Sequence, residues 1–162
     1  MTFQLNLING RVKRSMGFKT DFGLSLVLEH IKTAKEEDEF IKKYASSEDN
    51  MKFHQYLQQH IVKNDIPMSQ VMTNSRLNKN YGYNIVNGTR EYPGRDKVLA
   101  LCIGARMSFD ECQRSWKIAH HPLLNPRNER DIRIAVFINN KFGDVLKLNI
   151  KLEENNLEPL HV

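Results

Sequence analysis

The sequence predicts an all-α protein. Apolar residues recur at three- and four-residue spacing along most of the 162-residue chain. Capping residues stand just before those runs, at Asn78, Ser108 and Asn125. Connections of only a few residues separate the runs, which suits short helices packed around one core. The expected organisation is a five-helix domain over residues 50–121, preceded by a helical extension, 1–49, and followed by a helical pair, 122–162.

In chain order, Phe3, Leu5 and Leu7 alternate before Asn9-Gly10, so residues 1–20 read as a small hairpin or as a basic arm that orders on a partner. One helix is expected over 24–44, with Leu24, Val27, Leu28 and Ile31 resumed by Phe40, Ile41 and Tyr44; the acidic run Glu36-Glu37-Asp38-Glu39 reads as its solvated face. Residues 45–50 read as a linker.

The core then opens with a helix over 51–63 that buries Phe53, Leu57, His60 and Ile61, broken by Asn64-Asp65-Ile66-Pro67. Residues 69–75 have room for two turns of helix, and Arg76-Leu77 connects them to a helix that Asn78 caps and Asn87-Gly88 ends. Two basic helices joined this tightly form an αα-corner, for which a DNA-binding helix-turn-helix is the first reading to test. A basic loop, Gly88-Thr89-Arg90-Glu91-Tyr92-Pro93-Gly94, leads to a helix over 95–103 that presents Val98, Leu101 and Cys102. Ser108-Phe109-Asp110-Glu111 is a capping box for the next helix, which buries Phe109, Cys112, Trp116 and Ala119.

In the tail, Asn125-Pro126 reads as an N-cap with proline at the first helical position, starting a helix to Asn140; another runs to about Glu154. Ile132, Ile134, Val136 and Ile138 alternate, as do Leu146, Leu148, Ile150 and Leu152, so strands also fit; the caps favour helices.

The totals describe an ordinary soluble balance, 40% apolar and 27% charged. No membrane span and no signal peptide are expected, which points to the cytoplasm and to reduced, buried thiols at Cys102 and Cys112. The net charge of +5 is unevenly spread. Residues 1–20 carry four bases and no acid, and 21–50 hold eight acids against four bases. Residues 51–121 hold ten bases against five acids, while the tail balances. Positive charge therefore gathers on the αα-corner region and the N-terminal arm.

Several motifs in residues 51–119 now converge. Ser69-Gln70 opens the second core helix, Asn87-Gly88 closes the third, a basic loop with Pro93 follows, and Leu99-Ala100-Leu101 lies in the fourth. In these features the domain resembles the phage-repressor or Cro-type (XRE-type) helix-turn-helix family. Tyr81-Gly82-Tyr83, Asn87-Gly88-Thr89-Arg90 and Pro126-Arg127-Asn128 resemble a bacterial subset that adds a short helical tail. Two positions depart from the pattern. Arg76 stands where glycine is common in a left-handed conformation, at a cost of about 1 kcal/mol. Gly82 stands where Ile or Val is usual, and Met72 faces it where the family has alanine, a volume-conserving exchange.

The resemblance implies a sequence-specific double-stranded DNA-binding protein, a transcriptional regulator, reading the major groove with the helix 78–87. Its base-reading residues would be Lys79, Asn80 and Asn84, with Tyr81 or Tyr83 reaching a thymine methyl or a phosphate. The other reading packs both tyrosines around Gly82. Gln70, Thr89, Arg90 and Arg95 would hold phosphates, unless the two arginines simply form solvated surface. A homodimer is expected, because one domain reads only a few base pairs.

The competing reading is a protein-interaction adaptor or antitoxin-like module using the same fold. A protein partner could bind through 24–44 or 132–152, and the acidic segment could instead mask the basic face. No cofactor, metal or enzyme activity is expected. His120-His121 are too close to ligate one metal together, and neither a Gly-rich phosphate loop nor a catalytic grouping is present.

Overall fold

The computed structural model describes residues 21–45 and 51–162, all of whose regular structure is helical. The expectations for 1–20 and for the linker 46–50 lie outside the described residues. Two compact units are distinguished, Met1–Ser46 and Ser47–Val162.

In the first unit the single helix expected over 24–44 is two, α1 (Asp21–Leu28) and α2 (Ala34–Tyr44). Thr33 makes the break. Its hydroxyl accepts from the Glu36 N–H at 3.3 Å and donates to the Glu36 carboxylate at 2.8 Å, while the Thr33 N–H donates to that carboxylate at 3.2 Å. The first acid of the run thus closes a capping box instead of only facing solvent. Phe40 and Tyr44, one turn apart, have ring centroids 4.8 Å apart in a tilted contact, 51° between planes.

The second unit holds α3 (Phe53–Lys63), α4 (Met68–Ser75), α5 (Lys79–Val86), α6 (Arg95–Gly104), α7 (Phe109–Ile118), α8 (Glu129–Asn139) and α9 (Val145–Glu153). Every residue of α6 from Val98 to Gly104 is buried, so it is the central helix, apolar all round, and the others pack about it. α4 crosses it most closely. At that crossing a Cβ on Gly104 would lie 2.7 Å from the Val71 carbonyl oxygen and 3.0 Å from the Ser75 nitrogen, so only glycine allows the approach. Trp116 and Leu57 fill the space between α7 and α3 without solvent exposure. His60 joins the helix ends, its Nε2 3.0 Å from the Ala105 carbonyl oxygen and its Nδ1 3.2 Å from Glu111. Cys102 and Cys112 are free and buried, and the neighbouring Cys102 together with burial pushes the Cys112 thiol up.

Residues 122–162 pack into the same unit as the helices before them. Leu124, Ile134, Phe137, Leu148, Leu152 and Leu160 belong to the same core as α3–α7. α8 begins at Glu129 rather than Pro126, because the Asn125 side chain is spent on a turn, accepting from the Arg127 N–H at 2.9 Å, and Asn128 is the cap. The chain end is strapped down. Asn149 bonds both backbone groups of Leu160, at 2.8 and 3.2 Å, and Arg130 bonds the Glu158 and Pro159 carbonyls and Asp96.

How these helices end is less usual. Asp65, Arg76, Arg106, His120, Lys141 and Asn156 all have positive φ, and each follows a helix; after α5 the left-handed residue is a glycine, Gly88. After four helices the chain reverses with an N–H bonding five residues back: Ile66 to Ile61 at 3.0 Å, Met107 to Cys102 at 3.0 Å, His121 to Trp116 at 2.8 Å and Leu157 to Leu152 at 2.9 Å.

Arg76 is one of these left-handed residues, and its side chain is anchored. Its guanidinium donates to both carboxylate oxygens of Asp144, at 3.2 and 3.1 Å, and Asp144 also caps α9 through the Leu146 N–H. The Arg76 hydrogen bond holds the Asp144 carboxyl below the usual aspartate range, against a smaller opposing effect of burial. A carboxyl depressed in the fold gives stability that is complete above its unfolded value, about 3.9, and is lost as pH falls through the lower folded value. Asp144→Asn is therefore expected to flatten the acid side of the melting-temperature profile below about pH 4, relative to the unsubstituted chain. Parallel profiles would show that Asp144 does not contribute to acid sensitivity.

Candidate nucleic-acid interface

The αα-corner is built from the bottom by three local devices. α4 ends on left-handed Arg76, with φ 58° and ψ 12°, which turns the chain sharply. Leu77 is buried and pins the connection. Asn78 then starts α5, its side-chain oxygen accepting from the Tyr81 N–H at 3.3 Å. At the far end the Gln58 amide donates to the Val86 carbonyl at 2.6 Å, and the Arg90 N–H donates to Asn84 O at 2.9 Å, folding the basic loop back on α5.

The inner face of α5 is Gly82, Ile85 and Val86, all buried. A Cβ on Gly82 would lie 2.6 Å from the Met72 sulfur, so the methionine fills the space where a larger residue at 82 would sit. The opposite face is an exposed row: Lys79, Asn80, Tyr83 and Asn84. The side chains of Lys79, Asn80 and Asn84 are in none of the hydrogen bonds or ion pairs within the described residues, and they point one cation and two amides outward.

Tyr81 and Tyr83 differ from each other. Tyr83 is 39% exposed in the outward row. Tyr81 is half-buried against the core, off that row, and its ring has the Arg90 guanidinium and the Lys97 ammonium each 5.8 Å from its centroid. Two like charges sharing one ring gain little from each other, and a bound anion would relieve them.

The four residues expected to face phosphates are placed differently. Thr89 and Arg90 are exposed in the loop after α5, and Gln70 is half-buried in the first turn of α4. Arg95 is turned inward. It donates to the buried Asp131 carboxylate at 3.2 Å and to the Pro122 carbonyl at 3.3 Å, and its guanidinium lies 5.5 Å from the Trp116 ring centroid. Arg95 thus clamps the tail to α6, and Lys97, two residues on and turned to the Tyr81 side of the helix, supplies the cation beside α5 instead. Alignment of Lys97 with Tyr81 and Arg90 depends on how α6 meets α5, which no local spacing encodes.

Among the described residues no three His, Cys, Asp or Glu side chains are grouped as a metal site would need, and no helix is long and apolar enough to cross a membrane. No family model, curated protein or solved structure matches this chain.

Proposed function

We propose that the chain is a sequence-specific double-stranded DNA-binding protein, a transcriptional regulator that reads the major groove with α5 in a helix-turn-helix. The observation that carries this reading is the outward row on α5. Lys79, Asn80 and Asn84 stand together on one exposed face, while Gly82, Ile85 and Val86 hold the other face to the core. Lysine donates to guanine O6 and N7, and asparagine pairs bidentately with adenine, so this row has the chemistry of base readout. Arg90 and Lys97 beside Tyr81 supply sequence-independent attraction to phosphates. The resemblance of residues 51–119 to repressor-type domains supports the same reading.

Selection of bound duplexes from a random pool tests it, with an enriched motif expected. Asn84→Ala should then cost about 1–3 kcal/mol on the preferred site only. Arg90→Ala and Lys97→Ala should weaken all sequences alike, each lowering the salt slope by about 1. A pool that shows no enrichment, with DNA retention at low salt unaltered by any of the three changes, sinks the reading and favours a protein-binding role for α5.

A further inference from the structure

The end of α6 and the turn between α8 and α9 border a shallow cleft. Its floor is apolar, made by Ile103, Met107, Phe137 and Ile138, all buried. The enclosed part is about 10 Å³, close to the space of one water, so an occupant lies mostly in the mouth, against the rim. Phe142 stands on that rim, 52% exposed although its ring touches Phe137 with centroids 5.3 Å apart. Two exposed cations, Arg106 and Lys141, complete it.

Backbone geometry fixes where these cations stand. The Arg106 side chain is draped over Gly143, its Nε 3.0 Å and its Cγ 3.1 Å from where a Cβ on that glycine would be. Arg106 and Lys141 have φ of 53° and 54°, a region that disfavours any residue with a Cβ. Glycine would be less strained at either position. Strain kept at two cations on one cleft points to a use for their side chains.

The fold itself does not answer their charge. Neither side chain is in a hydrogen bond or ion pair among the described residues. The neighbouring carboxylate, Asp144, is already committed, both its oxygens accepting from Arg76 at 3.2 and 3.1 Å, and the Lys147 charge is felt there too. The corner is therefore short of negative charge, yet it offers an exposed ring and an apolar floor. A bare inorganic anion would leave the ring unused, and an uncharged aromatic would leave the cations unanswered. A carboxylate on an aromatic ring meets both, its oxygens bonding Arg106 and Lys141 while its ring lies on Phe142.

We propose that this cleft binds a small aromatic carboxylate. The inference rests on α6, α8 and the turn before α9, and holds whether or not α5 reads DNA.

Nuclear magnetic resonance titration of the full chain with sodium benzoate or sodium phenylacetate, at ionic strength matched with sodium chloride, tests it. Saturable shifts are expected at the Phe142 and Gly143 amides. Acetate and benzyl alcohol each lack one half of the ligand and should bind at least about tenfold more weakly. Arg106→Gln combined with Lys141→Gln should lower benzoate affinity about tenfold or more, with far-ultraviolet circular dichroism unchanged. Phe142→Ala, at an exposed ring, should weaken both carboxylates as an independent check. The absence of saturable shifts with either carboxylate overturns the proposal. So does benzyl alcohol or acetate binding as tightly as benzoate, or full benzoate affinity in the double cation variant. A chain that selects duplexes yet ignores both carboxylates would leave the DNA reading standing while removing this one.

Discussion

Alanine at position 104 is expected to lower the unfolding free energy by about 2–3 kcal/mol, the upper part of the range for overpacking. The added methyl would meet the Val71 carbonyl oxygen at 2.7 Å, the Ser75 nitrogen at 3.0 Å and the Ser75 Cβ at 3.2 Å. The two nearest are backbone atoms, which cannot rotate away as a side chain can. Relief requires α4 to lift from α6, at the tightest helix crossing in the second unit. The helix-propensity gain of about 1 kcal/mol for replacing glycine is small beside this, and smaller still at the last residue of α6. Equilibrium denaturant unfolding measures the effect, and an unchanged midpoint would show that the crossing has room to spare. Since α4 carries the turn into α5, duplex binding should weaken in the same variant.

The second large effect is at Met72 and Gly82. Met72→Ala alone should cost about 2–5 kcal/mol, because it empties the space against α5. Gly82→Val alone should cost about 1–3 kcal/mol, because its side chain and the Met72 sulfur claim the same volume. The double variant should recover much of both losses, a coupling of about 2 kcal/mol between residues in contact. Gly82→Ala is a milder control. Its Cβ would meet only the mobile end of Met72, so the clash is offset by the helix propensity that alanine adds. Thermal unfolding of the four proteins decides the matter: equal melting temperatures for Gly82→Val and the double variant would dismiss the pairing.

Much of the fold was legible because its signals are local. Ser108 with Glu111 and Asn78 with Tyr81 make the expected caps, and the alternating Ile132–Leu152 stretch proves helical once Asn128 and Asp144 cap its two parts. The alternation itself has a physical reading: core-facing and outward apolar residues share each of these helices, so the pattern imitates a strand. The break at Thr33 is also local, but its capping partner, Glu36, lies inside an acidic run that masks the signal. At the candidate site, the outward row on α5 follows from capping and periodicity. Arg95 does not, because its partner Asp131 lies 36 residues away on another helix. Nor does the core membership of the tail, since Leu148 and Leu152 reach it only through tertiary packing.

The helix ends carry a consequence for how heat-resistant this chain can become. A non-glycine side chain in the left-handed region costs about 1 kcal/mol, less for aspartate and asparagine, so Arg106, His120 and Lys141 each hold the native state below its attainable stability. These three side chains are exposed, and the backbone they shape is already closed by its own hydrogen bonds. Arg76 alone is offset, by its grip on Asp144. Thermal tolerance in this fold therefore has headroom at its surface turns, where selection or engineering can raise it while leaving the core and the outward row of α5 untouched.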